Sequence, residues 1–131
     1  MKKIFFLSLF IFFCLSDPIV DLPGYIGPKL NMESGYITVD PFHGRNLFYW
    51  LIEAEVDPNN APLVMWLNGG PGCSSLAGLF QENGPLMLDS KGQVVYRNTG
   101  YTRFANMLWV ESPAGVGFSY SDDKDDYNTN E

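Results

Sequence analysis

Residues 63–75 read LVMWLNGGPGCSS, and this stretch decides the fold. Its first five residues are apolar without alternation, the pattern of a strand that is covered on both faces. Leu76, Leu79 and Phe80 follow at the three-to-four spacing of a short helix. The Asn-Gly-Pro run at 83–85 then ends that helix. A buried strand that passes through clustered glycines into a helix is typical of a protein whose site lies at the end of the strand.

A second apolar strand is predicted at Met107–Val110, and it also opens into a glycine-rich loop, at 111–117. Two buried strands of this kind indicate a parallel or mixed α/β sheet with its site at the strand ends. Trp66 and Trp109 each lie inside one of the apolar runs. We therefore interpret both tryptophans as core residues rather than as substrate contacts.

Two hairpins are predicted around these strands. Aromatic and β-branched runs at 35–39 and 46–52 flank an Asp-Pro-Phe-His-Gly turn. Shorter runs at 86–88 and 94–96 flank a Ser-Lys-Gly turn. Before the first hairpin, the prolines and glycines of residues 17–31 favour an irregular, extended lead-in over the surface.

The composition is that of one globular domain. Of the 131 residues, 46% are apolar and 15% are aromatic, which is too much apolar bulk for a disordered chain. Fifteen acidic against eight basic residues give a formal net charge of −7, a sign that argues against nucleic acid or an anionic membrane as a partner. The acidic run at 122–126 fits no calcium loop and is interpreted as a solvated loop. We predict neither a metal site nor a cofactor.

Residues 1–16 have the three-part pattern of a signal peptide. Lys2 and Lys3 precede an apolar stretch of roughly 12 residues, which is shorter than the roughly 20 that a membrane-spanning helix needs. Small residues at Cys14 and Ser16 place the predicted cleavage after Ser16, so that 17–131 would form the mature domain in the secretory pathway. Removal of two lysines and no acid would change the net charge from −7 to −9.

Cleavage would also remove Cys14 and leave Cys73 as the single cysteine of this sequence. An unpaired thiol is a liability in an oxidising compartment, so a disulfide partner is expected. That partner would lie either on another chain or in sequence beyond Glu131.

Clustered glycines after a strand allow backbone N–H groups to approach a ligand without obstruction by side chains. Three interpretations of residues 68–75 compete. A phosphate-binding loop would need a Gly-Lys-Ser/Thr run, and no lysine lies between Glu53 and Ser90. A purely structural turn is the second interpretation. The third is an oxyanion hole, because one of its two donors in α/β-hydrolases is a backbone N–H from a glycine-rich loop after an early strand.

Five segments in chain order carry a wider likeness. They are SGYITV at 34–39, LFYW at 47–50, WLNGGPGCSS at 66–75, QENGP at 81–85 and ANMLWVESPAGVGFSY at 105–120. Together they resemble serine carboxypeptidases of the cathepsin A and vacuolar carboxypeptidase kind, and they cover nearly everything from Ser34 to Tyr120. The resemblance implies the N-terminal part of an α/β-hydrolase fold with a mixed sheet, incomplete in this chain.

The resemblance also implies roles for individual residues. Gly70 would donate its backbone N–H to the oxyanion of the tetrahedral intermediate. Asn68 and the Gly69 backbone would bind the terminal carboxylate of a peptide or protein, and Glu82 would help to hold it beside a second glutamate further along the chain. Two acids hold an anion only when they are protonated, so an acidic working pH is implied. Cys73 would be a disulfide half-cystine with its partner beyond the chain end.

The catalytic triad of the family is missing from these residues. Its nucleophile lies in a Gly-x-Ser-x-Gly elbow, and neither Ser74 nor Ser119 has the closing glycine. His43, the single histidine, precedes every candidate nucleophile, contrary to the serine-acid-histidine order of α/β-hydrolases, and is interpreted as a turn residue. The triad serine, aspartate and histidine are therefore expected downstream, and this chain alone is predicted to be inactive.

A serine-type carboxypeptidase is thus the leading interpretation, with three alternatives. The first is a non-catalytic secreted binding module that uses the same carboxylate site. The second is a fragment that docks with a complementary chain, such as the missing downstream part of the enzyme, through its open sheet edge. The third is a carboxypeptidase-like acyltransferase, in which an alcohol takes the acyl group in place of water. The lysosome or vacuole and the extracellular space are both compatible with the predicted secretion.

Overall fold

A five-stranded sheet and a separate two-stranded hairpin form the described chain, residues 14–128 of a computed structural model. The strands are β1 (Cys14–Pro18), β2 (Met32–Asp40), β3 (Arg45–Ile52), β4 (Leu63–Trp66), β5 (Leu86–Leu88), β6 (Val94–Tyr96) and β7 (Asn106–Val110). The large sheet has the order β1-β2-β3-β7-β4. Strands β4 and β7 are parallel and the other neighbours are antiparallel, so the predicted mixed sheet is confirmed.

Both predicted hairpins are present. In the β2–β3 hairpin, Gly35 lies opposite Tyr49 and Ile37 opposite Leu47. Its turn is closed by Asp40, whose carboxylate accepts hydrogen bonds from nearby backbone N–H groups. In the smaller hairpin, β5 and β6 are antiparallel and join the core through the buried Leu86.

The prediction that β4 is covered on both faces is wrong. Leu63 and Met65 are 64% and 59% exposed, although both lie in the apolar run that indicated burial. The reason is the position of β4 at the end of the strand order, where no strand among residues 14–128 lies beyond it. The neighbouring β7 lies between β3 and β4, and its Met107 and Trp109 are fully buried.

The lead-in also differs from its prediction at one end. Asp17 and Pro18 belong to β1 and lie opposite Ser34 and Glu33 of β2, so they are not irregular. After them the chain has no regular strand until β2, apart from a single bridge between Ile26 and Val95. Most of the predicted signal peptide, residues 1–13, lies outside the described part, and its cleavage stays a prediction.

The core lies where β2, β3 and β7 meet the helical segment and the small hairpin. Its buried members are Leu30, Met32, Ile52, Leu79, Leu86, Ala105, Met107 and Trp109. Trp109 is fully buried and donates its indole N–H to Asn83 Oδ1 at 3.0 Å. Trp66 packs against this cluster while partly exposed, so both tryptophans are core residues as predicted.

Three short helical segments complete the fold. The predicted helix after the glycine loop is present as a π-helical turn at Gly78–Glu82, and 3-10 turns lie at Tyr101–Arg103 and Lys124–Tyr127. Among the described residues there is no helix with the length and apolar content needed to cross a bilayer.

The acidic run at 122–126 is more than a solvated loop. Asp126 accepts two hydrogen bonds from the Arg45 guanidinium, one of them at 2.9 Å, and one from the Ser121 hydroxyl at 2.6 Å. These bonds join the last helical turn to the start of β3. The same contacts lower the pKa of Asp126, with the Arg45 hydrogen bond as the largest cause.

His43 occupies the β2–β3 turn, and its Nδ1 lies 2.7 Å from Asp40 Oδ2. Hydrogen bonding and charge from Asp40 raise the pKa of His43, and Asp123 and Asp126 add to the effect. Because the pKa of His43 is higher in the folded than in the unfolded chain, protonation of His43 stabilises the fold. This stabilisation is complete at pH values below the unfolded-state pKa and is lost as the pH rises through the folded-state pKa.

We therefore expect His43→Gln to lower the thermal midpoint at pH 5 and to have little effect at pH 9. Lys91→Gln in the β5–β6 turn is the matched control, because it removes a positive charge that forms no ion pair among the described residues. Thermal unfolding followed by circular dichroism measures both. A His43→Gln loss of equal size at the two pH values would contradict the expectation.

Candidate functional site

The structure brings Asn68 and Glu82 together at the end of β4. The Trp66 indole N–H donates to Asn68 Oδ1 at 2.7 Å, and Asn68 Nδ2 donates to Glu82 Oε1 at 2.9 Å. Glu82 is the last residue of the helical turn that follows the glycine loop. A strand end and a helix end therefore meet through one asparagine side chain.

This chain of hydrogen bonds determines the orientation of the Asn68 amide. An indole N–H can only donate, so the atom it contacts is the amide oxygen. The nitrogen then faces Glu82 with one of its two hydrogens. The second hydrogen of Asn68 Nδ2 has no acceptor among the described residues, so it is available to an anionic ligand.

Gly78 allows the helical turn to lie close to the end of β4. A Cβ at position 78 would lie 2.8 Å from Asn68 Oδ1 and would overlap the Trp66 indole. The helical turn can pack against the strand end only because this residue has no side chain.

The backbone N–H groups of Gly69 and Gly70 donate no hydrogen bond to any residue in the described part of the chain. Both glycines are exposed. A Cβ at Gly69 would meet nothing within 4 Å, while Gly70 has a φ of +144° that favours glycine. Two adjacent amides without a protein acceptor can bind a negatively charged oxygen.

The two ends of the glycine loop are held by hydrogen bonds. At its start, Asn68 N–H donates to Ser75 Oγ at 3.1 Å. At its end, the Ser74 hydroxyl donates to Glu111 Oε1. Glu111 is fully buried and also accepts from Phe118 N–H at 2.6 Å. Sequence reasoning missed Glu111, although a single acid placed directly after a buried apolar strand was an available signal.

Arg97 supports the helix end that carries Glu82, and sequence reasoning missed it too. Its guanidinium donates to the carbonyl oxygens of Glu82 at 2.9 Å and Leu86 at 3.0 Å, and to that of Phe80. Two of these, on Phe80 and Glu82, are carbonyls that the end of a helix leaves without partners, and the third belongs to the first residue of β5. Nothing in the local pattern around Arg97 indicates this role, because its acceptors lie 11–17 residues away.

Of the remaining candidates, Cys73 lies in the glycine loop itself and His43 lies apart from it. Cys73 is an exposed free thiol in the described structure. His43 lies in the β2–β3 turn with Asp40 as its hydrogen-bond partner, consistent with its interpretation as a turn residue. Within residues 14–128, no group of three or more histidine, cysteine or acidic side chains is arranged to hold a metal ion.

Comparisons with known proteins agree on one family. The serine carboxypeptidase family model matches residues 23–131. "Serine carboxypeptidase-like 32" of Arabidopsis thaliana is 48% identical over 115 residues, which are 86% of this chain and 25% of that protein. "Lysosomal protective protein" of Mus musculus is 47% identical over 110 residues, 82% of this chain and 23% of that protein.

A solved structure is similar as well. The crystal structure of a prohormone-processing carboxypeptidase from Saccharomyces cerevisiae matches with a TM-score of 0.62 and 30% identity, over 77% of this chain and 23% of that one. This chain therefore spans about a quarter of the length of the relatives that it matches.

Proposed function

Because this chain belongs to the serine carboxypeptidase family, we propose that it forms the anion-binding wall of a serine-type carboxypeptidase, an enzyme that releases C-terminal residues from peptides through an acyl-enzyme. In this proposal Gly70 stabilises the oxyanion, and Asn68, Gly69 and Glu82 bind the terminal carboxylate of the substrate. The observation that carries the proposal is the Trp66–Asn68–Glu82 hydrogen-bond chain beside two amides that have no acceptor within the described residues.

The proposed binding of a carboxylate rests on hydrogen-bond donors of the protein that have no acceptor among the described residues. Asn68 Nδ2 has one hydrogen in use towards Glu82, and the Gly69 N–H donates to no described residue. A carboxylate oxygen accepts hydrogen bonds and donates none, so it is the type of group that these two donors can bind. Both donors are neutral amides, so the site binds the anion by hydrogen bonds and not by an ion pair.

Glu82 is the acidic residue of the proposed site. Its Oε1 accepts the Asn68 Nδ2 hydrogen bond, and its second oxygen has no partner among the described residues. In this proposal a second glutamate further along the chain lies beside it, and an acidic working pH is what the family resemblance implies for such a pair.

The oxyanion role requires Gly70 to donate while the substrate carbonyl becomes tetrahedral. In comparable enzymes one such donor lowers the activation barrier by about 3 to 4 kcal/mol. Any side chain at position 70 would disturb the loop, because a Cβ there would lie 3.0 Å from the Gly72 amide nitrogen and 3.1 Å from that of Cys73.

The exposed face of β4 supports docking with a complementary part of the enzyme. Leu63, Met65 and Leu67 present apolar surface at the open edge of the sheet. Such an edge is a template for another strand. We propose that a downstream segment, which carries the triad and the partner of Cys73, covers this edge in the active protein.

The carboxylate role predicts that the chain distinguishes two blocked dipeptides that differ only at the C-terminus. At pH 5, the free acid is expected to bind at least about tenfold more tightly than the C-terminal amide, since a charge-assisted hydrogen bond contributes about 1.5–3 kcal/mol. Isothermal titration calorimetry measures both affinities. Equal affinities for acid and amide would make the carboxylate role wrong.

Asn68→Ala is expected to weaken binding of the free acid about ten- to a hundredfold, by loss of one such hydrogen bond. Asn60→Ala is the matched control, because the Asn60 amide also donates to a carboxylate, that of Asp57, in the turn before β4. That variant is expected to bind the free acid with unchanged affinity.

A further inference from the structure

Glu111 is a fully buried carboxylate whose partners are all neutral donors. Its Oε1 accepts from the Ser74 hydroxyl and its Oε2 accepts from Phe118 N–H at 2.6 Å. It takes part in none of the ion pairs formed among residues 14–128. A buried acid held by two hydrogen-bond donors is a costly arrangement that persists only where the donors satisfy it.

The two donors belong to the two glycine-rich loops. Ser74 lies in the loop that carries Gly69 and Gly70, and Phe118 follows the loop after β7. Ser74 and Glu111 are 37 residues apart in the sequence. The Glu111 carboxylate therefore joins the end of β7 to the far end of the glycine loop that follows β4.

Glu111 has little freedom to move. Its backbone N–H donates to Phe48 O at 2.9 Å, and its backbone carbonyl accepts from the Ser119 hydroxyl at 2.6 Å. A Cβ at Gly117 would overlap both carboxylate oxygens. Glu111 is thus fixed at its backbone and at its side chain, as a rigid anchor requires.

We propose that Glu111 is a positioning residue for the anion-binding loop, Asn68–Ser75. By accepting the Ser74 hydrogen bond, it holds the C-terminal end of that loop and keeps the Gly69 and Gly70 amides in one orientation. The consequence for ligand binding rests on the proposed function of those amides, whereas the ordering of the loop does not.

The experiment measures the 15N order parameters of the Gly69 and Gly70 amides in the full chain and its variants. Ser74→Ala removes the link, together with the hydrogen bond that Ser74 Oγ accepts from Leu76 N–H at 3.2 Å, and leaves the Phe118 bond to Glu111. Thr102→Val is the matched control, because the fully buried Thr102 hydroxyl also donates to a carboxylate, Glu55 Oε1 at 2.8 Å, outside this loop.

In the unchanged chain both amides are expected to have order parameters near those of a rigid backbone, about 0.85, and to fall below about 0.6 in Ser74→Ala. Ser74→Thr, which keeps the hydroxyl, is expected to restore them. Glu111→Ala is expected to loosen the loop as well, since it removes the acceptor of the Ser74 hydroxyl. Thr102→Val is expected to leave both amides rigid.

Three results would overturn the proposal: rigid glycine amides in Ser74→Ala, amides already mobile in the unchanged chain, or equal loosening in Thr102→Val. If Glu111→Ala fails to fold, Ser74→Ala and its threonine rescue still decide. A wrong proposed function would be recognised by a different measurement, peptide binding. The chain would then bind acid and amide peptides equally, while the order parameters would still report on Glu111.

Discussion

Assayed on a blocked dipeptide at acid pH, the purified 131-residue chain is expected to turn over at least about a millionfold more slowly than an intact serine carboxypeptidase. This magnitude follows from removal of the nucleophile or its base in a serine protease, which costs about 10⁶ in kcat. Oxyanion stabilisation alone retains only a small residual rate. The measurement is release of the C-terminal amino acid over time.

The structure gives two reasons why the serines near the site do not replace the nucleophile. The Ser74 hydroxyl donates to the buried Glu111 carboxylate, and the buried Ser119 hydroxyl donates to the Glu111 carbonyl. The single histidine, His43, is hydrogen-bonded to Asp40 in a turn. The Ser121 hydroxyl contacts the backbone carbonyl of His43 and not its ring, so no hydrogen bond joins a serine hydroxyl to the imidazole among the described residues.

The control for this assay is an intact relative, such as serine carboxypeptidase 1 of Hordeum vulgare, measured under the same conditions. A Ser74→Ala variant of the present chain tests the background, since trace activity that survives in it does not come from Ser74. Turnover by the unchanged chain at a rate similar to the intact enzyme would refute the predicted inactivity.

Gly117→Ala is expected to destabilise the fold by about 2–5 kcal/mol. Two costs combine. Gly117 has a φ of +52°, where a residue with a Cβ loses about 1–2 kcal/mol. The new methyl group also overlaps both oxygens of Glu111, and overpacking of this kind costs about 1–3 kcal/mol. Urea unfolding followed by tryptophan fluorescence measures the loss.

Gly92→Ala separates the two costs. Gly92 has a φ of +76°, close to that of Gly117, but a Cβ at this position meets nothing within 4 Å. Its substitution is expected to cost only about 1–2 kcal/mol, from the backbone conformation alone. If both variants lost the same stability, contact with Glu111 would have no part in the effect, and the rigid anchor at this position would be disproved.

Much of the fold was predictable because its signals are local. The aromatic and β-branched runs at 35–39 and 46–52 predicted the β2–β3 hairpin, and the glycine cluster after Leu67 predicted a strand-to-helix loop. The apolar runs at 63–67 and 107–110 predicted two strands of one mixed sheet, which are parallel neighbours in the structure. Each of these signals spans fewer than about ten residues, the range over which periodicity acts.

The candidate site was predicted in part. Asn68, Gly69, Gly70 and Glu82 were proposed from the glycine loop and the family resemblance, and the structure joins Asn68 to Glu82 directly. Glu111 and Arg97 were not proposed. Their partners lie far away along the chain, so no spacing rule connects them.

The local sequence was sufficient to predict the two hairpins, the two apolar strands and the glycine loop between strand and helix. It was not sufficient to predict that β7 is enclosed while β4 is exposed, because both strands are apolar and they differ in their place in the strand order. Only the tertiary structure decided that Glu111 accepts from both glycine-rich loops and that Asp126 binds Arg45, 81 residues away. Polar groups removed from water need partners, and the fold determines which distant donors can reach them.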